Sequence, residues 1–254
     1  MTRVIKTVKE WNELYKSENL SASQLGFVPT MGALHRGHAS LIEKSVADNR
    51  KTAVSIFVNP TQFNDSNDLQ KYPKTFEQDF RMMEELDVDF LFFPQYEELY
   101  ADNFIYQVHE NSLSKILCGA FRSGHFDGVL TIVLKLLNII KPARAYFGEK
   151  DYQQYKLIKG MAEAFFLQTE IIACPTMRDE DGLALSSRNL LLSPEERKFA
   201  LNFPKLLKAD KSCDEIKSEL KQLGFTVDYI EEYDGRRLGA VYAGKVRLID
   251  NVKL

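Results

Sequence analysis

Leu25-Gly26-Phe27-Val28-Pro29-Thr30-Met31-Gly32-Ala33-Leu34-His35-Arg36-Gly37-His38 is a short apolar run that stops at a glycine-bearing turn and enters a helical pattern. Leu25 to Thr30 reads as a strand, and Leu41, Ile42 and Val46 within residues 38–49 recur at the spacing of one helix face. Strand, glycine turn and helix start, in that order, put free helix N–H groups and the positive end of the helix dipole at the turn, where phosphates bind. Gly32 and Gly37 permit close approach of the backbone, and His35 and His38, three residues apart at the helix entrance, can face one side. Imidazoles so placed can donate to a phosphate as charge builds during substitution at phosphorus. Two histidines in an ordinary surface turn are the plain alternative, and the strand-turn-helix context weighs against it.

Outward from this stretch, strands and helices alternate. Strands are read at 52–58, 89–93, 144–147 and 169–174, and helices at 76–86, 126–140 and 152–166. Strands that are apolar throughout and separated by helices form a parallel sheet covered on both faces. The expected fold is α/β, a Rossmann-like parallel sheet with helices on both faces, and ligands of such sheets bind at the carboxyl ends of the strands. The loops after Thr30, Val58, Phe147 and Thr176 are therefore expected to converge on one cleft. The texture changes near residue 180. Ser193-Pro194-Glu195-Glu196 and Ser212-Cys213-Asp214-Glu215 are capping-box starts of helices, and strand-like segments follow at 226–230 and 246–249. The chain divides on this reading into residues 1–178, a Rossmann-like domain, and residues 186–254, a small C-terminal α+β domain.

Composition narrows the function. Lys and Arg total 33 against 36 Asp and Glu, a net charge of −3, which gives no basic excess for general nucleic-acid binding. Cys118, Cys174 and Cys213 form no C-x-x-C pair, so no zinc knuckle or redox pair is suggested and a reducing, cytoplasmic setting is the simplest expectation. Residues 1–10 lack the apolar core of a signal peptide, and the apolar stretch 129–140 is broken by Lys135 and too short to span a bilayer.

Further segments carry possible chemistry. Gly148-Glu149-Lys150-Asp151 follows a strand, where a Lys can hold a phosphate as a point charge and the acids can balance it or accept from a ribose hydroxyl; a charged surface turn is the alternative. Leu185-Ser186-Ser187-Arg188 offers hydroxyls and a guanidinium at the domain junction, suited to a mobile loop over a triphosphate or to a polar linker. Asn59-Pro60-Thr61-Gln62-Phe63 and Gln153-Gln154 supply amides that donate and accept, suited to a substrate with hydroxyls and a carboxylate, or simply facing solvent. His125, in the Gly-bounded loop Arg122-Ser123-Gly124-His125-Phe126-Asp127-Gly128, either caps the helix that follows or lines the cleft. His109 and Trp11 read as structural, and Phe90 to Phe93 as sheet core.

Taken together, VPTMGALHRGH (28–38), FVNPTQF (57–63), SGHFDGV (123–129), FGEKDYQQ (147–154) and DGLALSSRN (181–189) resemble the pantothenate synthetase family. That family belongs to the H-x-G-H nucleotidyltransferase folds related to class I aminoacyl-tRNA synthetases. The resemblance implies condensation of pantoate with β-alanine while ATP is converted to AMP and pyrophosphate, by way of a pantoyl adenylate. It implies that Met31, Gly32, Ala33, Leu34, His35, Arg36, Gly37 and His38 line the ATP site, with His38 catalytic and His35 beside it on the phosphates. Gly148, Glu149, Lys150 and Asp151 would bind nucleotide, Lys150 touching phosphate. Met177 would lie on the adenine side, and Leu185, Ser186, Ser187 and Arg188 would close on the triphosphate, the last three counted as catalytic together with His35, His38 and Lys150. Gln62 would bind pantoate and then β-alanine, and Gln154 pantoate. Mg²⁺ would come with ATP, held mainly by phosphate oxygens rather than by protein ligands. A homodimer is implied, with no nucleic-acid or membrane partner. Family members usually carry a longer C-terminal region, so the small lid domain here reads as shortened. Two rivals remain in view: transfer of AMP onto a phosphate-bearing acceptor, and a non-catalytic nucleotide- or tRNA-binding module. Retention of both histidines, Lys150 and Arg188 argues against the latter.

Overall fold

A computed structural model describes residues 1–18, 20, 24–64 and 66–254, and it separates them into two compact units. The first unit is Met1–Gly148 with Gln153–Cys174; the second is Glu149–Tyr152 with Pro175–Leu254. The main division falls between Cys174 and Pro175, and the short turn 149–152 groups with the C-terminal unit.

The first unit holds, in order, β1 (Arg3–Ile5), α1 (Val8–Ser17), β2 (Leu25–Thr30), α2 (Arg36–Asp48), β3 (Lys51–Ile56), α3 (Ser66–Gln70), α4 (Phe76–Glu85), β4 (Phe90–Phe92), α5 (Tyr96–Leu99), α6 (Cys118–Phe121), α7 (His125–Ile140), β5 (Arg144–Gly148), most of α8 (Tyr152–Ala164) and β6 (Glu170–Cys174). The six strands pair in parallel in the order β1-β4-β3-β2-β5-β6. From β2 the chain winds one way through β3 and β4, then returns to the other side of β2 with β5. The switch point therefore lies between the carboxyl ends of β2 and β5, which is where open α/β sheets bind ligands.

Register decides what each face buries. Val28 pairs with Val54 and Val54 with Leu91, and these three pack with Leu41 and Ile42 of α2 and Met83 of α4. Their neighbours Phe27, Ala53 and Phe90 face the other side, because strand side chains alternate. On that side Trp11, fully buried, meets Phe90 and Phe92 edge-on with ring centroids 5.8 and 6.2 Å away. Trp11 is positioned by α1, whose start is a full Thr7–Glu10 capping box. The aromatic run is sheet core, as its sequence suggests.

The second unit holds α9 (Pro194–Ala200), α10 (Asn202–Leu207), α11 (Cys213–Leu223) and an antiparallel sheet of β7 (Thr226–Tyr233), β8 (Arg236–Ala243) and β9 (Val246–Lys253). Both capping boxes read from the sequence are formed, Ser193 with Glu196 and Ser212 with Glu215. Phe203, Leu207, Ile216 and Leu220 of the helices pack on Ile230, Val241 and Leu248 of the sheet. The stretch that reads as abbreviated contains β8, the central strand of this sheet, so the unit has its own complete core. Among the described residues, no helix is long and apolar enough to cross a membrane.

Candidate active site

In the first unit the site begins where β2 ends. Thr30 Oγ1 donates to Ser55 O (2.7 Å) and accepts from Gly32 N (3.1 Å), turning the chain sharply off the sheet. Gly32 and Ala33 then both take left-handed backbone angles, φ +78° and +52°. Glycine is at home there, whereas Ala33 is held against its preference. The restraint is Asp79 of α4, only 2% exposed, whose carboxylate accepts from Ala33 N (2.9 Å) and Leu34 N (2.8 Å) as well as from Thr75 Oγ1 (3.1 Å). Nothing in the order of residues 76–86 separates this aspartate from the helix's polar face, and only its long-range partners mark it.

The loop delivers His35 to the N-cap of α2, which starts at Arg36 rather than at His38 as the spacing suggests. His35 Nδ1 accepts from Gly37 N (3.1 Å), and His38 Nδ1 accepts from His35 N (3.3 Å). This is a capping box built from two imidazoles, with ring centroids 4.1 Å apart. Each Nδ1 serves as an acceptor, so in each neutral ring the proton resides on Nε2. Two imidazole donors thus stand together at a helix N-terminus beside the switch point, as a phosphate site requires.

Gln62 sits in the turn Pro60–Gln62 that follows β3, which ends at Ile56 rather than Val58. Its amide donates to Met31 Sδ (3.1 Å) and accepts from Asn59 Nδ2 (3.0 Å), so the amide turn and the glycine turn adjoin. Asn59 is 1% exposed and is itself pinned by Gly128 O (3.2 Å) and Tyr100 OH (2.9 Å). Burial pushes the Tyr100 phenol up to about 12, so it remains protonated and keeps donating to Asn59. Gly148 closes β5, and Gln154 lies on the first turn of α8.

The two glutamines of α8 separate cleanly. Gln153 is buried, accepts from Cys118 N (3.0 Å) and donates to Leu113 O and Ile116 O (2.8 Å each). These three bonds hold residues 113–118, so it is a structural tie and not a solvent-facing amide. Gln154 is half-buried and makes no side-chain hydrogen bond among the described residues.

The second unit carries the other named residues. Lys150 lies in the turn Glu149–Asp151, with its amine 3.6 Å from Asp151. That turn is clamped from behind: Arg236 bonds Glu149 (2.6 Å) and Asn251 Oδ1 (2.7 Å), while Asn251 Nδ2 donates to the carbonyls of Glu149 (2.8 Å) and Lys150 (3.1 Å). Next to it Arg178 holds Asp250 through both guanidinium nitrogens at 2.7 and 2.9 Å. Met177 O accepts from Leu185 N (3.0 Å), which brings together two residues eight apart in sequence that both read as nucleotide contacts. Ser186 caps the turn Ser187–Leu191 by accepting from Arg188 N (3.3 Å), and Asn189 Nδ2 secures that turn on Ala184 O (2.9 Å). Each unit therefore presents an ordered set of phosphate-type donors. Arg236, Asn251 and Asp79, which orient these donors, leave no mark in the sequence because their partners lie 45 to 102 residues away.

Known proteins match this chain over nearly its whole length. A family model described as pantoate-beta-alanine ligase matches residues 3–253. A pantothenate synthetase of Bdellovibrio bacteriovorus is 50% identical over 254 residues, 100% of both chains. One from Coxiella burnetii is 50% identical over 252 residues, 99% of this chain and 97% of its own. The crystal structure of a pantoate-beta-alanine ligase from Francisella tularensis, complexed with beta-gamma ATP and beta-alanine, matches with a TM-score of 0.94 at 43% identity, over 100% of this chain and 98% of that one. At this coverage the C-terminal unit has the length found in these relatives, and the chain belongs to the pantoate–β-alanine ligase family.

Proposed function

We propose that this chain condenses (R)-pantoate with β-alanine to give pantothenate, converting ATP to AMP and pyrophosphate through a pantoyl adenylate. The observation that carries the reading is the reciprocal pair His35–His38 at the start of α2, in a chain that matches this family from end to end.

In the first step a pantoate carboxylate oxygen attacks the α-phosphorus of ATP and the bond to pyrophosphate breaks. Little covalent help is needed; positioning and stabilisation of charge on phosphate oxygens supply the rate. His35 and His38 donate from Nε2, with His38 as the principal catalytic group. Lys150 adds a positive charge, and Ser186, Ser187 and Arg188 add donors toward the triphosphate. Met31, Gly32, Ala33, Leu34, Arg36 and Gly37 shape the nucleotide turn, with Gly148, Glu149, Asp151, Met177 and Leu185 completing the nucleotide contacts. Gln62 and Gln154 take the hydroxyls and carboxylate of pantoate. In the second step the β-alanine amine attacks the acyl carbon, loses a proton, and AMP departs; Gln62 then serves the amine. The donors around the phosphate turns are N–H groups, imidazoles and an ammonium, which suit phosphate oxygens and not a bare cation. Mg²⁺ would accordingly be held by phosphate oxygens of the nucleotide, where it would neutralise their charge. The working form is read as a cytoplasmic homodimer.

The test is to incubate the protein with ATP, pantoate and β-alanine, omitting one at a time. Pyrophosphate formed with pantoate but without β-alanine establishes the adenylate. A dinucleotide product in place of free AMP would overturn the ligase reading.

The two amides of α8 supply a second test. Gln153→Leu leaves buried N–H and C=O groups unpaired and should cost about 2 kcal/mol of stability. Gln154→Leu should leave the urea midpoint in place and raise the pantoate KM about tenfold, the cost of one substrate hydrogen bond. Equal behaviour of the two variants would remove Gln154 from the pantoate site.

A further inference from the structure

We infer that His125 is a positioning residue for Gln62, and that it works as a neutral imidazole with its proton on Nδ1. The inference rests on the reading of Gln62 as the pantoate and β-alanine contact. His125 is 6% exposed and is the first residue of α7, entered through Gly124 in a left-handed conformation. The cap position therefore belongs to Gly124, and the His125 side chain is left for another task.

The chemistry of its partners fixes its proton. His125 Nδ1 lies 2.8 Å from Gln62 O, and a carbonyl only accepts, so Nδ1 carries the hydrogen. His125 Nε2 lies 2.9 Å from Arg122 NH1, and a guanidinium only donates, so Nε2 is bare. Arg122 NH2 also reaches Gln62 O at 3.3 Å. An imidazolium would turn an N–H toward the guanidinium, so the arrangement admits only the neutral ring. His125 thus holds the opposite tautomer to His35 and His38. Asn59 orients the Gln62 amide while His125 and Arg122 fix its main chain, so the side chain that meets substrate is held from both ends.

Substitutions that each mimic one ring nitrogen separate this role from simple packing. Asparagine places an amide N–H close to where Nδ1 donates; glutamine places an amide oxygen close to where Nε2 accepts. His125→Asn should keep the pantoate KM within about threefold of wild type, whereas His125→Gln should raise it about tenfold, with the ATP KM unchanged in both, as follows from keeping or losing one hydrogen bond. Packing alone would favour the larger glutamine. Equal KM values for the two variants, or a wild-type value in His125→Gln, would overturn the proposal. The imidazole ¹⁵N spectrum of the unliganded wild-type protein is an independent readout. It should show His125 protonated on Nδ1 and His35 and His38 on Nε2; a His125 proton on Nε2 overturns the proposal whatever the activity. If wild-type protein releases no pantoate-dependent pyrophosphate, the ligase reading fails, and the spectrum still decides the tautomer.

Discussion

His38→Ala should lower the rate of pantoate-dependent pyrophosphate release by about a hundredfold, because loss of one preorganised donor to a developing charge is worth roughly 3 kcal/mol. The fold should survive, since His38 lies at the half-exposed start of α2, where its Nδ1 caps His35 N. A lost cap of this kind costs about 1 kcal/mol. Two further substitutions divide the cap from the chemistry. In His38→Asn the amide oxygen can still accept from His35 N, but no group replaces the distal Nε2–H. Its activity should fall as far as that of alanine while its urea midpoint stays at wild type. In His38→Gln an amide N–H can stand near Nε2, and part of the rate should return. Near-wild-type pyrophosphate release by the alanine or asparagine variant would remove His38 from the catalytic role.

Legibility in the sequence follows locality. The β2–turn–α2 unit is local: its strand is apolar, its turn carries glycine, and its helix face repeats at the right period. Local patterns of this kind survive in sequence, and so did both capping boxes of the second unit. Strand β1 did not, because three residues at a sheet edge have no period to read and exist only through pairing with Phe90–Phe92. β8 leaves no readable pattern for another reason: Arg236 and Arg237 at its start look like surface charges, yet both are buried against Glu149, Asn251 and the carbonyls of Leu207 and Ala209. The site divides the same way. Residues that would touch phosphate or pantoate stand in short motifs and could be named. Those that hold them act across the chain: Asp79 on Ala33 and Leu34, His125 on Gln62, Asn251 on Lys150. Their residue types fit many surroundings, and folding alone selects the one they occupy. The paired Gln153 and Gln154 show the limit most sharply, since neighbours of identical chemistry point to opposite environments and no composition rule could assign them.

Gly128→Ala should cut kcat/KM for pantoate about a hundredfold, the size of effect that a displacement near 1 Å has on a positioned substrate group. Gly128 lies one turn into α7, where that helix crosses the Asn59–Gln62 turn. A Cβ at this position would stand 2.5 Å from Thr61 O, 2.6 Å from Thr61 C and 2.8 Å from Gln62 N. All three are main-chain atoms, so no side-chain rotation relieves the clash. Either the helix or the turn must move, and the turn carries Gln62. Helix propensity opposes this: alanine in place of an interior glycine favours a helix by about 1 kcal/mol. Overpacking costs typically 1–3 kcal/mol, and against backbone on every side the upper end applies, leaving a net loss of about 2 kcal/mol in stability. The Asn59 Nδ2 bond to Gly128 O, now 3.2 Å, would lengthen with the separation and loosen the Gln62 amide as well. ATP binding should change far less, since the glycine turn is anchored separately by Asp79 and Thr30. A variant with an unaltered pantoate KM, or one more stable than wild type, would show that α7 and the amide turn are free to slide apart. In that case the close packing at Gly128 would not set the position of Gln62.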